Sequence, residues 1–366
     1  MIPALTDEAP PRRWTAILQI PFVVPLLVVI SALAIGLGLI AATGASPRQT
    51  VVAFWLGAFG SSYAIGASLN RAVPLALVGL GFVLAARGNL INVGGEGQIA
   101  VGGMIAAAVA LHGASELPRA LAVGAPLFAG TVAGAFWGGL AGILKVKRGT
   151  NEVISTLLLN FVAVDLLYWS VQSVDLLRQP RTSASTAAES LEIPDIAKLP
   201  PLTLDVSSPM HIGIVIAAIV AIVTAIVLTR SLFGLRLRAL GLNPFAARRA
   251  GISQNLQVAA LALAGALGGL AGASMMQGDQ HVLRVGFSSG YGFDGLVVGL
   301  LSRGSVIGVT ASALFFAFLR SGGMSMEMLA RVPSAIIWIC QGIIVIAIAG
   351  SSAWLVPRGR DSGATL

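Results

Sequence analysis

Two glycine-rich stretches interrupt the apolar pattern of this chain, and each carries one acid: GNLINVGGEGQ at 88–98, with Glu96, and GFSSGYGFDG at 286–295, with Asp294. A carboxylate between long apolar runs is costly enough to point to a function, as an ion or substrate site or as a charge held at a helix N-terminus. Asn92, Gln98 and Asn160 bring paired amide donors and acceptors to the same stretches and their neighbour. Phe287, Tyr291 and Phe293 bring ring faces on which a planar base can stack. In TNEVISTLLLN at 150–160, Glu152, Thr156 and Asn160 recur at i, i+4 and i+8 on one helix face, with Asn151 placed to cap it. A polar stripe on an apolar helix faces a neighbouring helix or a pathway rather than lipid. The same residues also fit a plainer role, as tight turns with acids at helix starts and amides that join helices.

A second kind of chemistry, docking, is offered by RSLFGLRLRALGLNPFAARRAGI at 230–252. Its flanks, 211–229 and 256–278, are apolar and long enough to cross a bilayer. The loop 230–253 is therefore short, basic and expected on the cytoplasmic side. Asn243 suits an N-cap, Pro244 the first helical position, and Gly251 the left-handed residue past the end. Phe245, Arg248 and Arg249 would then sit on a short helix outside the membrane.

The elements that must position these residues are apolar helices. The 366 residues are 56% hydrophobic and 10% charged, with mean hydropathy +0.88, against about 25% charged for a soluble domain. The expected class is an all-α polytopic membrane protein of about ten crossings, at 18–43, 68–86, 96–112, 119–144, 152–174, 211–229, 256–278, 288–301, 305–319 and 332–349. The runs from 288 and 305 are shorter than the ~20 residues of a straight span, and 53–67 is left over as a half-crossing or an interfacial segment on the outer side. The domains expected are a cytoplasmic tail 1–17, a membrane domain 18–350 with an extracytoplasmic loop 175–209, and a cytoplasmic tail 351–366. Two breaks of opposite sense suit an inverted repeat with a site at its interface.

The net charge of +8 follows the positive-inside bias, not a nucleic-acid face. The single Cys340 can form no internal disulfide. His112, His211 and His281 lack metal-site spacing, no nucleophile–base motif is present, and no metal or enzyme is expected. The lysines are Lys145, Lys147 and Lys198, none preceded by glycine, so the chain lacks a P-loop and any ATP must be hydrolysed by another polypeptide.

GNLINVGGEGQIAVGG at 88–103, TNEVISTLLLNFVA at 150–163, GLNPFAARRAGIS at 241–253 and GYGFDGLVVGLLSRGSVIGV at 290–309 occur in this order. Together they resemble the permease subunits of bacterial ABC importers, in the branch serving simple sugars and nucleosides and closest to the nucleoside type. The resemblance covers about 68–350, with Val93-Gly94-Gly95 where many relatives have Ile-Gly-Ala or Ile-Gly-Val. It implies a multi-pass protein of the bacterial inner membrane, and the ten crossings counted above put both termini on the cytoplasmic side. Its implied partners are cytosolic ATP-binding subunits that bind ATP–Mg, a second permease subunit, identical or homologous, and an extracytoplasmic substrate-binding protein. Carried onto this chain, Asn92, Glu96, Gln98, Asn160, Tyr291, Phe293 and Asp294 would line or support the path. Asn243, Pro244, Phe245, Arg248, Arg249 and Gly251 would couple to the ATP-binding subunit. Simple sugars or branched-chain amino acids remain alternative substrates. An ion-coupled carrier using Glu96, Asp165 and Asp294 remains an alternative mechanism.

Overall fold

The computed structural model describes residues 23–42, 44–180, 188–203, 205, 207–333 and scattered positions between 335 and 346. The expected tails 1–17 and 351–366, most of the expected span 332–349, and Cys340 lie outside the described residues. Every named element is helical. They are α1 (Val23–Ala42), α2 (Pro47–Phe59), α3 (Ser62–Arg87), α4 (Gly95–Gly113), α5 (Arg119–Arg148) and α6 (Glu152–Gln172), then α7 (Gly213–Arg230), α8 (Leu232–Leu242), α9 (Pro244–Arg249), α10 (Asn255–Met275), α11 (Tyr291–Leu301) and α12 (Val306–Ala330). A 3₁₀ turn, Asp195–Ala197, and a π-helical turn, Met276–Gln280, complete the set. Strand-like pairing among the described residues is limited to isolated bridges such as Arg178 with Ser190.

Among the described residues, α3, α5, α6, α7, α10 with its π turn, and α12 are long and apolar enough to cross a membrane. The chain is an all-helical, polytopic membrane protein. It divides into Leu56–Ser321 and a smaller unit formed by Met1–Trp55 and Gly322–Leu366. In the smaller unit the Phe54 ring lies against Gly322.

The core of the larger unit is the contact of α5 with α10. Gly130, Gly134 and Gly138 form one stripe on α5, and Gly265 and Gly269 form its counterpart on α10. A Cβ on Gly134 would strike the carbonyl oxygen of Gly265, and one on Gly265 would strike that of Gly134. Lipid tails are as apolar as leucine, so helix association in a bilayer relies on close backbone approach. α4 packs into the groove beside this pair, where Gly102 faces Gly269 and Gly272 faces the Ile99 carbonyl.

Two of the apolar runs end differently from the sequence pattern. The apolar run cut at 319 continues as a helix to Ala330, because Arg320, which ended the run, is ion-paired inside the unit. The expected half-crossing at 53–67 is the end of α2 and the start of α3, with Ser61 capping α3 by accepting from Ala64 N–H at 3.1 Å.

Gly134→Leu should lower the melting temperature of the purified protein in detergent by several degrees, as overpacking costs about 1–3 kcal/mol. Gly139→Ala, whose Cβ would lie 3.6 Å from Ala262, should leave the melt unchanged.

Candidate functional site

The two glycine breaks, nearly two hundred residues apart, meet. α11 is only 11 residues long, and its N-terminus ends against the first turn of α4. The Gly290 N–H donates to Glu96 Oε1 and the Gly292 N–H to Glu96 Oε2, both at 2.8 Å. One buried carboxylate therefore caps another helix, satisfying two of the donors that a helix start leaves open and placing negative charge at the positive end of its dipole. Backbone contact makes this reach possible. A Cβ on Gly95 would press on Gly292, and one on Gly292 would overlap the Glu96 backbone.

The strand of chain that presents Glu96 is held from behind by the polar stripe of α6. Asn160 donates to Val93 O at 2.8 Å and accepts from Gly97 N–H at 2.9 Å. Thr156 Oγ1 accepts from Val93 N–H at 3.2 Å and donates to Glu152 O at 2.7 Å. Asn92 and Gln98 pair amide to amide at 3.1 and 3.2 Å, and Asn92 Oδ1 also accepts from Gly94 N–H at 2.9 Å. Asn160 lies eight residues into α6, about 12 Å at 1.5 Å per residue, so the irregular backbone it holds lies alongside a candidate membrane span rather than at its end. Asn151 caps α6 through Val153 N–H at 2.9 Å, and Lys145 pairs with Glu152 at 2.7 Å.

Asp294 joins the same assembly through a residue that sequence reasoning missed. Arg320 Nη1 donates to Asp294 Oδ2 at 2.7 Å, Nη2 donates to Ser289 O at 2.6 Å, and the guanidinium lies 4.0 Å from the Tyr291 ring centroid. Tyr291 is thus covered, and Phe287 is buried against Gly103. Of the three rings, Phe293 alone is open, at 45% exposure.

At the far side of this unit the basic loop folds as its residues dictate. Asn243 Oδ1 accepts from Phe245 and Ala246 N–H, both at 3.0 Å, Pro244 opens α9, and Gly251 is left-handed at φ +78°. Phe245 is 73% exposed and Arg248 stacks over it at 4.9 Å from the ring centroid. The preceding helix α8, absent from the sequence pattern, seats Leu237 on Gly88 and Gly241 on the Arg87 carbonyl.

The branched-chain amino acid transport system / permease component family matches residues 64–349. The chain belongs to this permease family. It is 33% identical over 346 residues to the glucose ABC transporter permease protein TsgB13 of Haloferax volcanii, covering 92% of this chain and 89% of that one. It is 32% identical to the guanosine ABC transporter permease protein NupP of Bacillus subtilis, covering 92% and 95%. The nucleoside ABC transporter permease protein NupB of Lactococcus lactis subsp. cremoris is 30% identical, covering 89% and 90%. No solved structure matches the chain.

Other polar residues of the permease were not legible as a group in the sequence. Asn70 donates to Pro209 O at 2.8 Å and to Asp279 Oδ1 at 3.2 Å, and His211 Nε2 lies 3.5 Å from Asp279 Oδ2. These contacts brace the π turn, over which the loop before α7 folds: Ser190 N–H donates to Leu283 O, Ile193 N–H to His281 O and Leu199 N–H to Gln277 O. In that loop Lys198 reaches Asp195 and Glu192 at 2.7 and 2.6 Å. These partners raise the lysine above its ordinary pKa and hold Asp195 below the usual carboxylate range. The only hint in the sequence was an asparagine or aspartate at the edge of an apolar run.

Glu96→Ala should strip two buried N–H groups of their acceptor and lower stability by about 3 kcal/mol or more, since hydrogen bonds to charged groups contribute about 1.5–3 kcal/mol each. Glu96→Gln, which turns an NH₂ toward one of the donors, should recover only part, read as a melting temperature between the other two. The double variant Asp294→Asn, Arg320→Met should cost less than the sum of the two single variants, because each single change takes the ion-pair partner from a part-buried charge.

Proposed function

We propose that this chain is the translocation subunit of an ATP-driven importer for nucleosides, working with separate cytosolic ATP-binding subunits that bind ATP–Mg. A second permease chain and an extracytoplasmic binding protein complete the assembly. The observation that carries the coupling half of this reading is α9, an Asn-capped helix with Phe245, Arg248 and Arg249 facing outward. A self-sufficient carrier has no use for such a knob. The substrate half rests on the near-full-length likeness to permeases named for guanosine and nucleosides.

In this reading the loop 230–253 and both termini lie in the cytoplasm and the loop 175–209 lies outside, in a bacterial inner membrane. α1, α4, α11 and the segment 332–349 join the six long apolar helices to give ten crossings. The pairs α3–α4 and α10–α11, each interrupted before its second helix, are the two halves of an inverted repeat. Force applied to α9 passes into α8, which bears on Arg87 and Gly88 at the head of the first break. From there it reaches Glu96 and, through its two hydrogen bonds, α11. The joined breaks, with Asn92, Glu96, Gln98, Asn160, Tyr291, Phe293 and Asp294, support the wall of the path. A simple sugar is the second reading for the substrate, favoured by the likeness to the glucose permease.

Uptake of labelled nucleosides and glucose should be measured in cells carrying the importer with and without its ATP-binding subunit. Nucleoside uptake that requires the partner and ATP hydrolysis is expected. Uptake by this chain alone that collapses with the ion gradient would refute the reading. Arg248→Glu with Arg249→Glu should reduce uptake at least tenfold and weaken copurification of the ATP-binding subunit, with membrane insertion unchanged.

A further inference from the structure

The face of α6 opposite its buried stripe carries an ionisable group that nothing in the joint uses. Asp165 lies five residues past Asn160, which turns it away from the stripe that holds the first break, and its side chain is exposed. Among the described residues no hydrogen bond or ion pair reaches its carboxylate. It sits seven residues before the end of α6, about 10 Å in from that end at 1.5 Å per residue, and so within the apolar thickness. A carboxylate at that depth does not face hydrocarbon, and residues of this kind mark water-filled pathways.

Its neighbours on the same face are aromatic and equally uncovered. Phe161 is 61% exposed, Tyr168 48% and Trp169 60%. At one end the stripe opens into a cavity of about 360 Å³ between α4 and α6, lined by Trp169 together with Met104, Leu166, His112 and Asp175. That volume lies within the range of small-molecule sites, about 300–1,000 Å³. Flat rings flanking one acceptor-only group are complementary to a molecule with a π face and vicinal hydroxyls. Bases stack on aromatic side chains, and an ionised carboxylate accepts from two O–H groups at once.

Resting on the nucleoside reading above, we propose that this face of α6 lines the aqueous passage. Asp165 there binds the ribose hydroxyls of the passing nucleoside, while Phe161 and Trp169 offer its base a stacking surface. The opposite wall is the second permease chain.

The test uses the complete importer with Cys340→Ser, so that Asp165→Cys carries the only thiol of this chain. A charged, water-soluble methanethiosulfonate reagent should modify that cysteine, and excess inosine should slow the modification at least threefold. Asp165→Ala should raise the KM for inosine uptake about tenfold and erase the preference for inosine over 2′,3′-dideoxyinosine, since sites built around a hydroxyl reject analogues that lack it. Asp165→Asn should retain part of that preference, which a merely structural role would not produce. Normal inosine uptake with an unreactive cysteine, or with the preference intact in Asp165→Ala, overturns this proposal and leaves the nucleoside reading standing. Absence of inosine uptake by the unmodified importer overturns the nucleoside reading and this proposal with it.

Discussion

The hydrogen bonds from Gly290 and Gly292 to the Glu96 carboxylate are the constraint on which the other parts of the structure depend. A carboxylate at membrane depth needs donors, and a helix that starts at membrane depth needs acceptors. Each deficit answers the other here. The pairing also explains residues that touch neither group. Gly95 and Gly292 are glycines because the two backbones cross there. Thr156 and Asn160 are polar because the chain leading into Glu96 has no helix of its own to satisfy it. Arg320 is tolerated in α12 because Asp294, one turn past the cap, supplies its counter-charge.

A joint of this kind has functional weight because it makes one body of two segments from distant parts of the chain. α8 rests on the residues that open the first break, and α11 hangs from the residue that closes it. A displacement at the exposed end of α9 thus has a continuous, packed route to the start of α11. The same geometry argues against Glu96 as a proton or sodium carrier. Protonation would turn one carboxylate oxygen into an O–H facing an N–H and so break one of the two bonds, and each cycle would bear that cost. Asp165 carries no such duty: its carboxylate is exposed on the opposite face of α6.

Much of this was legible in the sequence, and the reasons are local. Hydropathy located nine of the runs that the described helices occupy, because burial in lipid is read from composition alone. Asn151 and Asn243 were recognisable as caps because a cap and its donors lie within three residues. The Glu152–Thr156–Asn160 stripe was visible because its spacing is that of the helix. What remained hidden was long-range or depended on context. Nothing near Glu96 names Gly290 and Gly292 as its partners. Arg320 read as the end of a span because a charge normally ends one, and only its pairing with Asp294 reverses that. α8 is too short and too basic to declare itself, and the cluster of Asn70, His211 and Asp279 draws on three separate parts of the chain. Phe287 and Tyr291, which looked like stacking platforms, are covered by Gly103 and Arg320 instead.

The most direct test of the joint is to determine the structure of the complete importer in two states, nucleotide-free and trapped with a non-hydrolysable ATP analogue. The distances from the Glu96 carboxylate to Gly290 N and Gly292 N should stay within hydrogen-bond reach, below about 3.2 Å, in both states, with α11 moving together with the first turn of α4. Separation of Glu96 from α11 in either state, with the start of α11 capped by water or by another residue, would contradict the account.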